Sequence, residues 1–243
     1  MATVARPAAE RKLLAPVWHL ITVLLILLGQ TAYGWYRLQI TSSPMFRANG
    51  DPQGMVRACA KGLVIEWLVL FCVWAGVRWQ GGRMSDLTGQ RWKNWKQIAG
   101  DLLIAFVFWS LWSGSAELLW WLIGRPRTGG AGGYHFPPVG TLAVTSWLAL
   151  AATAGFCEEV VYRGYLQKQF HRLTGSAVFA LLAQALLFGI GHVYQGYRPV
   201  IVITVLGLEY GLLAYWRRNL RSTMLSHGWS DMVSGYFKYL WGW

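Results

Sequence analysis

The chain has 243 residues, of which 55% are hydrophobic and only 13% are charged, and its mean hydropathy is +0.34. A soluble domain of this length carries about a quarter of its residues as Asp, Glu, Lys and Arg, so the composition argues against an ordinary soluble protein. The net charge of +12 comes from basic residues that lie between apolar runs, where membrane topology and anionic lipid head groups explain them better than nucleic acid does.

Apolar runs follow one another along the whole chain. A bilayer core about 30 Å thick takes roughly 20 helical residues. The sequence therefore predicts an all-α fold, a polytopic transmembrane bundle of about seven helices (six to eight) that forms a single domain over residues 1–243. The predicted spans are Leu14–Tyr36, Ala58–Trp79, Ile98–Ile123, Val139–Phe156, Ser176–Val193, Val200–Trp216 and Ser222–Trp243.

The basic residues are distributed unequally between the two sides of these spans. With the N-terminus inside, the inner segments carry fourteen of the 22 Lys and Arg residues, including Arg163, Lys168 and Arg172 after the fourth span. Because cytoplasmic loops are enriched in Lys and Arg, we expect a cytoplasmic N-terminus. The short loops favour a bacterial inner membrane.

Several ionisable residues interrupt the apolar runs. Such a side chain in mid-membrane costs about 2.5–3.5 kcal/mol on insertion scales, so it is retained mainly where protein or trapped water shelters it. These residues predict a sheltered polar site. They are Glu66, Glu117, Glu158, Glu159, His192, Glu209, His227 and Asp231.

The first local pattern is the pair Glu158-Glu159, followed by Arg163. Residues four apart share a helical face, so Glu159 and Arg163 are expected to form an ion pair. Glu158 points about 100° away and is left without that partner. It is therefore the carboxylate available to act as a general base.

Two further patterns follow at the same helical spacing. Phe188 and His192 lie four residues apart, and so do His227 and Asp231. Each pair presents its side chains on one face of a helix. Three costly polar patterns in one small membrane protein are best explained by a single sheltered cavity.

A shared cavity constrains the spans. At 1.5 Å per residue, His192 lies roughly 24 Å from the inner end of a fifth span that begins near Ser176, whereas His227 lies near the start of the seventh. A common site therefore requires the fourth helix to run on towards Phe170. It also requires the segment of residues 217–231 to begin deeper than its hydropathy suggests.

The three patterns resemble, in order, the motifs of the CAAX prenyl protease type II and bacteriocin-processing (Abi) family of intramembrane peptidases. Those motifs are EExxxR, FxxxH and a His followed four residues later by Asn or Asp. All three lie within residues 140–243. The first 140 residues resemble the family only in being hydrophobic.

The resemblance implies a glutamate-type endopeptidase that cleaves a peptide or protein substrate near the membrane, where the substrate is membrane-associated or lipid-modified. Glu158 and His192 would activate a water molecule that attacks the peptide carbonyl. His227 and Asp231 would stabilise the oxyanion. Neither a metal nor another cofactor is expected in this mechanism.

Supporting roles are implied for Glu159, Arg163 and Phe188. The residue at Asp231 departs from the form of the motif that has Asn, because an ionised Asp cannot donate a hydrogen bond to an oxyanion. We therefore expect Asp231 to orient the imidazole of His227, four residues earlier, and to favour its charged form.

One alternative is a zinc-dependent membrane protease. Glu158, His192 and His227 could ligate zinc, with water in the fourth position. The chain has no HExxH motif, and its three cysteines include no Cys-x-x-Cys pair.

Two further alternatives are not peptidases. The protein could be a non-catalytic membrane scaffold or bacteriocin-immunity protein, in which the polar cluster only joins helices. It could also be a transporter that uses Glu66, Glu117 and Glu209 as a proton path. The sequence leaves its oligomeric state open.

Overall fold

The computed structural model describes residues 12–41, 52–124 and 140–240. Within these ranges every regular element is a helix, which confirms the predicted all-α class. In chain order the elements are α1 (Val17–Thr41), α2 (Pro52–Trp79), α3 (Met84–Thr88), α4 (Trp95–Ile123), α5 (Thr141–Glu158), a π-helical segment (Glu159–Gln167), α6 (Lys168–Thr174), α7 (Ala177–Gly191), a 3₁₀ turn (Val193–Gln195), α8 (Tyr197–Arg217) and α9 (Arg221–Leu240).

Each of the seven predicted spans corresponds to a helix. Among the described residues, five helical stretches are long and apolar enough to cross a membrane: Val17–Ile40, Gln53–Trp79, Trp95–Ile123, Thr141–Thr174 and Tyr197–Arg217. Helix α7 is apolar but shorter, and α9 does not meet the same hydropathy criterion. Helix α7 falls short only in length, and His192 lies directly after it, whereas His227 lies within the more polar α9.

The predicted end of the fourth span near Phe156 is wrong. The helix continues without interruption from α5 through the π-helical segment and α6 to Thr174. All nine residues of the π-helical segment are buried, so its polar side chains are sheltered by protein and not by water. This extension was predicted, because a cavity shared by the three patterns requires the fourth helix to run on towards Phe170.

Arg163 does not belong to a cytoplasmic loop. Arg163 was predicted to be one of the basic residues on the inner side of the membrane, but its side chain is fully buried inside the bundle. It pairs with Glu159 one turn earlier on the π-helical segment. Arg163 is therefore part of the polar interior and carries no information about orientation.

Helix α5 lies between α2 and α9, and small residues allow the close approach to α9. A Cβ atom added at Gly155 would lie 2.5 Å from the backbone nitrogen of Gly228 and 3.0 Å from the carbonyl oxygen of Met224. Only a residue without a side chain fits there. Gly228 is one residue from His227, and Gly155 is three residues from Glu158. The contact therefore fixes the separation of α5 and α9 at the level of these two side chains.

Helix α7 packs along α8 in the same way. A Cβ atom at Gly207 would lie 3.1 Å from the Cα atom of Ala185. The core around these contacts includes the fully buried Phe188, Tyr210 and Tyr165. The packing brings the C-terminal half of α7 and the middle of α8 against the π-helical segment.

The start of α9 is held by a buried acid on α4. Asp101 is fully buried, and its carboxylate lies 2.9 Å from Nη2 of Arg217 and 2.8 Å from Nε of Arg221. Ser222 and Trp92 also donate hydrogen bonds to it. One carboxylate therefore joins α4, the end of α8 and the first turn of α9.

Candidate active site

The centre of the site is a buried ion pair on the π-helical segment. Nη1 of Arg163 lies 2.9 Å from Oε1 of Glu159, and both side chains are fully buried. This is the ion pair that the four-residue spacing predicts. A buried charge is tolerated only when it is paired, and the guanidinium also contacts the backbone oxygen of Gly207 at 3.4 Å.

His227, on α9, lies close to both Glu158 and Glu159. Its Nδ1 is 3.0 Å from Oε1 of Glu159, a hydrogen bond, and its Nε2 is 3.6 Å from Oε2 of Glu158. Because the Glu159 carboxylate paired with Arg163 can only accept, Nδ1 of His227 carries the proton. The ring is thereby fixed with Nε2 directed towards Glu158.

Asp231 does not orient His227 in the expected way. Its Oδ2 lies 3.7 Å from Nε2 of His227, too far for a hydrogen bond. Glu159 supplies that hydrogen bond instead, from a different helix. Asp231 and Glu158 flank the same nitrogen, so Nε2 of His227 faces two carboxyl groups.

Aromatic rings enclose His227. The Tyr210 ring stacks on it, with centroids 5.4 Å apart and an interplanar angle of 21°, and the Phe188 ring meets it edge-on at 5.8 Å. The Tyr210 hydroxyl is 3.2 Å from Oγ of Ser226, and the Arg163 guanidinium lies 4.2 Å from the centroid of Phe188. Sequence analysis missed Tyr210, because nothing in its local sequence marks it as a neighbour of a histidine on another helix.

His192 caps the C-terminal end of α7. Its Nδ1 is 2.8 Å from the carbonyl oxygen of Phe188. A carbonyl only accepts, so Nδ1 is the donor, and in the neutral ring Nε2 keeps its lone pair for a proton or a ligand. The Phe188 ring contacts His192 at 4.8 Å as well as His227, so this one phenyl ring is packed against both imidazoles.

Glu158 has a neighbour on α2 that lies outside the three sequence patterns. The carboxyl group of Glu66, on α2, interacts electrostatically with that of Glu158. Helical spacing predicted only that Glu158 lies away from Arg163, and it did not predict Glu66 as a neighbour. Its side chain is 16% exposed and that of Asp231 is 35% exposed, so the cluster can be reached from outside the protein.

The part of the chain that carries these residues is similar to a known protein family. Residues 140–233 match the model of the type II CAAX prenyl endopeptidase, Rce1-like. Over this region the chain is similar to the CAAX prenyl endopeptidase family. The Rce1-like region contains Glu158, His192, His227 and Asp231, whereas Glu66 lies outside it. Neither the curated proteins nor the solved structures gave a match to the chain.

In the Rce1-like region, a small number of side-chain contacts bring the three predicted patterns together. The first and third patterns meet directly, through the contacts of His227 with Glu158 and Glu159. The second pattern joins them through Phe188, which touches both imidazoles. The result is a cluster of acids and imidazoles enclosed by α2, α5, α7, α8 and α9.

The donor atoms of the Rce1-like region bear on whether it could hold a metal. Among the described residues, no three His, Cys, Asp or Glu side chains are grouped closely enough to hold a metal ion. Nδ1 of His227 is bonded to Glu159 and Nδ1 of His192 to a carbonyl, which leaves Nε2 of each ring as the possible ligand.

Proposed function

We propose that this protein is an intramembrane glutamate-type endopeptidase that hydrolyses a peptide bond in a membrane-associated or lipid-modified substrate. The observation that carries the proposal is the meeting of Glu158 and His227, 3.6 Å apart, inside the helical bundle. The match of residues 140–233 to an endopeptidase family supports a membrane peptidase in general. The particular mechanism is inferred from the residues.

In the proposed reaction, Glu158 and His192 activate a water molecule. As the water oxygen forms a bond with the peptide carbonyl carbon, Glu158 accepts one of its protons and the carbonyl becomes an oxyanion. His227, in its protonated form, donates from Nε2 to the oxyanion, beside Asp231. The C–N bond then breaks, and the proton held by Glu158 passes to the leaving amine.

The other predicted residues support this chemistry. Glu159 holds the His227 ring by its hydrogen bond to Nδ1, and Arg163 compensates the charge of Glu159. Phe188 packs between the two imidazoles. Preorganised donors of this kind act strongly because they need no rearrangement when charge develops.

Substitution of the two water-activating residues tests the proposal. We expect Glu158→Gln and His192→Ala each to lower peptide cleavage by about 10²–10⁴-fold, the usual contribution of a general base. Purified protein in liposomes would be assayed by mass spectrometry on prenylated and unmodified peptides. Both variants should remain membrane-inserted, with unchanged melting temperatures.

The matched control is Glu209→Gln. Glu209 is another acid in a membrane span, on α8, and it interacts with Ser115 of α4. Its amide variant should cleave at the wild-type rate. If Glu158→Gln and His192→Ala also cleaved at that rate, the catalytic assignment would be wrong, and a scaffold or immunity role would be favoured.

A zinc-dependent protease that uses Glu158, His192 and His227 is the alternative mechanism. We expect cleavage to continue in a strong chelator with no metal detected in the protein. Metal content by mass spectrometry and peptide cleavage would be measured on the same sample. Loss of activity in chelator together with recovery on addition of zinc would establish the alternative.

A further inference from the structure

A large cavity lies on the face of α9 that is turned away from the candidate active site. It has a volume of about 1290 Å³ and is lined by α4, α5, α9 and the segment that joins α3 to α4. Leu225, Trp229 and Met232 of α9 line it, and their spacing of four and three residues places them on one side of the helix. Two residues correspond to about 200° around a helix, so Trp229 and His227 face opposite sides of α9.

Aromatic rings form the wall at one end of this cavity. Trp229 stacks on Trp109 of α4, with centroids 5.8 Å apart and an interplanar angle of 26°, and its ring lies 5.9 Å from that of Phe106. Phe106 is 47% exposed and Trp229 is 40% exposed, so the apolar end opens towards the membrane. Pockets for drug-sized ligands measure about 300–1,000 Å³, so this cavity has room for a larger apolar molecule.

Cations line the opposite end of the cavity. Arg91, ahead of α4, and Arg221, in the first turn of α9, both belong to the lining. Nε of Arg221 lies 2.8 Å from Oδ2 of Asp101, and its Nη1 donates a hydrogen bond of 3.1 Å to the carbonyl oxygen of Gln90. The guanidinium also lies 5.6 Å from the centroid of the Trp92 ring, within the range of a cation–π contact. Arg221 is therefore held in one position at the polar end.

The polar end keeps a positive charge after its ion pairs are formed. Asp101 is shared between Arg217 and Arg221, so one carboxylate faces two guanidinium groups, and Arg91 is an exposed third cation. Along α9, Arg221 and Met232 are 11 residues apart, which corresponds to about 16 Å at 1.5 Å per residue. The cavity therefore extends over about half of a hydrocarbon core that is about 30 Å thick, which is the depth of one leaflet.

We propose that this cavity binds an anionic phospholipid, with the phosphate at Arg91 and Arg221 and the acyl chains along Phe106 and Trp229. A phospholipid has a charged head and apolar chains that reach the middle of the bilayer, in the same order as the two ends of the cavity. A soluble anion would leave the aromatic end unused, and a neutral lipid would leave the cations unused. The lipid lies against α9, so its binding should also stabilise the folded protein. The proposal does not depend on the peptidase reaction.

Lipid titrations of the full-length protein in detergent, followed by native mass spectrometry, test the charge preference. Dioleoyl phosphatidylglycerol is the anionic probe, and dioleoyl phosphatidylcholine, with the same chains, is the zwitterionic control. One cation near the surface changes the affinity for an anionic head group by about fivefold, so two cations should favour phosphatidylglycerol by about 25-fold. Phosphatidylglycerol should also raise the melting temperature more than phosphatidylcholine does. Equal affinities for the two lipids would overturn the proposal.

Two substitutions, each with a matched control, test the two ends of the cavity. Arg91→Gln should weaken phosphatidylglycerol binding by about fivefold and leave phosphatidylcholine binding unchanged. Arg78→Gln, at the exposed end of α2, should change neither. Leu148→Trp adds a large ring to the lining and should weaken both lipids by about tenfold, whereas Leu182→Trp, on α7, should not. Wild-type affinity for phosphatidylglycerol in Arg91→Gln would overturn the proposal, even if Leu148→Trp did not fold.

Crosslinking and competition identify the place and the occupant. Phosphatidylglycerol with a photoactivatable acyl chain should label residues 106–109 and 224–233, and labelling confined to other segments would overturn the proposal. Neither inorganic phosphate nor a farnesylated peptide should displace the lipid. Displacement by phosphate would indicate a simple anion site, displacement by the peptide would indicate a substrate site, and either would overturn the proposal. Glu158→Gln should bind the lipid as the wild type does, so loss of peptidase activity and loss of lipid binding are distinguishable.

Discussion

At the scale of single residues, the orientation of His227 depends on the carboxylate of Glu159, whose negative charge is compensated by Arg163. Asp231 is four residues away on the same helix, yet Glu159, on another segment, takes the hydrogen bond from Nδ1. Arg163 pairs with Glu159 and keeps it a strong acceptor. Asp231 is 35% exposed and has no comparable partner in the described residues, so it competes less well for the ring.

This difference predicts unequal effects of two similar substitutions. Glu159→Gln removes the charge that compensates buried Arg163 and the acceptor that holds His227, and we expect it to lower the free energy of unfolding by about 3 kcal/mol. Asp231→Asn removes a carboxylate that is partly exposed and not hydrogen-bonded to His227. Its effect should be below about 1 kcal/mol.

Denaturant titrations in detergent, followed by circular dichroism, would measure both effects. Peptide cleavage provides a second readout, because the amide that Asp231→Asn introduces is a donor and should keep activity within about tenfold of wild type. Equal destabilisation by the two substitutions would contradict the assignment of Glu159 as the residue that holds His227.

At the scale of helices, the site depends on how closely α5 approaches α9. Gly155 lies against the backbone of Gly228, and the space for a Cβ atom is occupied by backbone atoms that have no freedom to rotate away. The same helix changes to π-helical geometry at Glu159, directly after Glu158. Such segments are frequent at functional sites because they alter the direction of side chains within a continuous helix.

The close approach predicts a specific effect of a single methyl group. Gly155→Ala should push α5 away from α9 and lower the free energy of unfolding by about 1–3 kcal/mol. It should also lower kcat by up to about 100-fold, since a displacement of about 1 Å is enough to misplace Glu158 relative to His227. Unfolding titrations and peptide cleavage would be measured on the same preparation.

Gly114→Ala is the matched control on α4. A Cβ atom at Gly114 meets nothing within 4 Å. Alanine has the higher helix propensity, so this variant should be as stable as the wild type or slightly more stable. Normal stability and activity of Gly155→Ala would show that the two helices adjust without disturbing the site.

At the scale of the whole molecule, the predicted orientation rests on the cations that remain outside the bundle. Arg163 is buried and no longer counts, and Arg217 and Arg221 are paired with Asp101. Arg91, Lys93 and Lys96 are exposed between α3 and α4 or in the first turn of α4, on the same predicted side as residues 217–221. The bias towards an inner N-terminus therefore persists after the correction.

We propose an inner-membrane protein with a cytoplasmic N-terminus, in contact with anionic lipid head groups and not with nucleic acid. A peptide tag ahead of Met1 should resist protease in intact spheroplasts and be cleaved in inverted vesicles. A tag after Trp243 should behave in the opposite way if seven helices span the membrane. Cleavage of the N-terminal tag in spheroplasts would reverse the predicted orientation.

The sequence by itself determined the features that depend on local spacing. Apolar runs of the right length predicted the helices, and four-residue spacing predicted the ion pair between Glu159 and Arg163, because both depend only on helical geometry. The cost of ionisable groups in a membrane placed Glu158, His192 and His227 among eight candidate residues before any contact was known. The order of the three motifs was sufficient to suggest the family.

Only the tertiary structure decided which partners these groups have. Glu66 and Glu158 are 92 residues apart, and Tyr210 and His227 lie on different helices, so no local period relates them. The choice of Glu159 over Asp231 as the partner of His227 depends on distances between helices, which are set by small residues such as Gly155. Hydrophobic patterning fixes which segments enter the membrane, but the packing of one helix on another fixes which polar groups meet there.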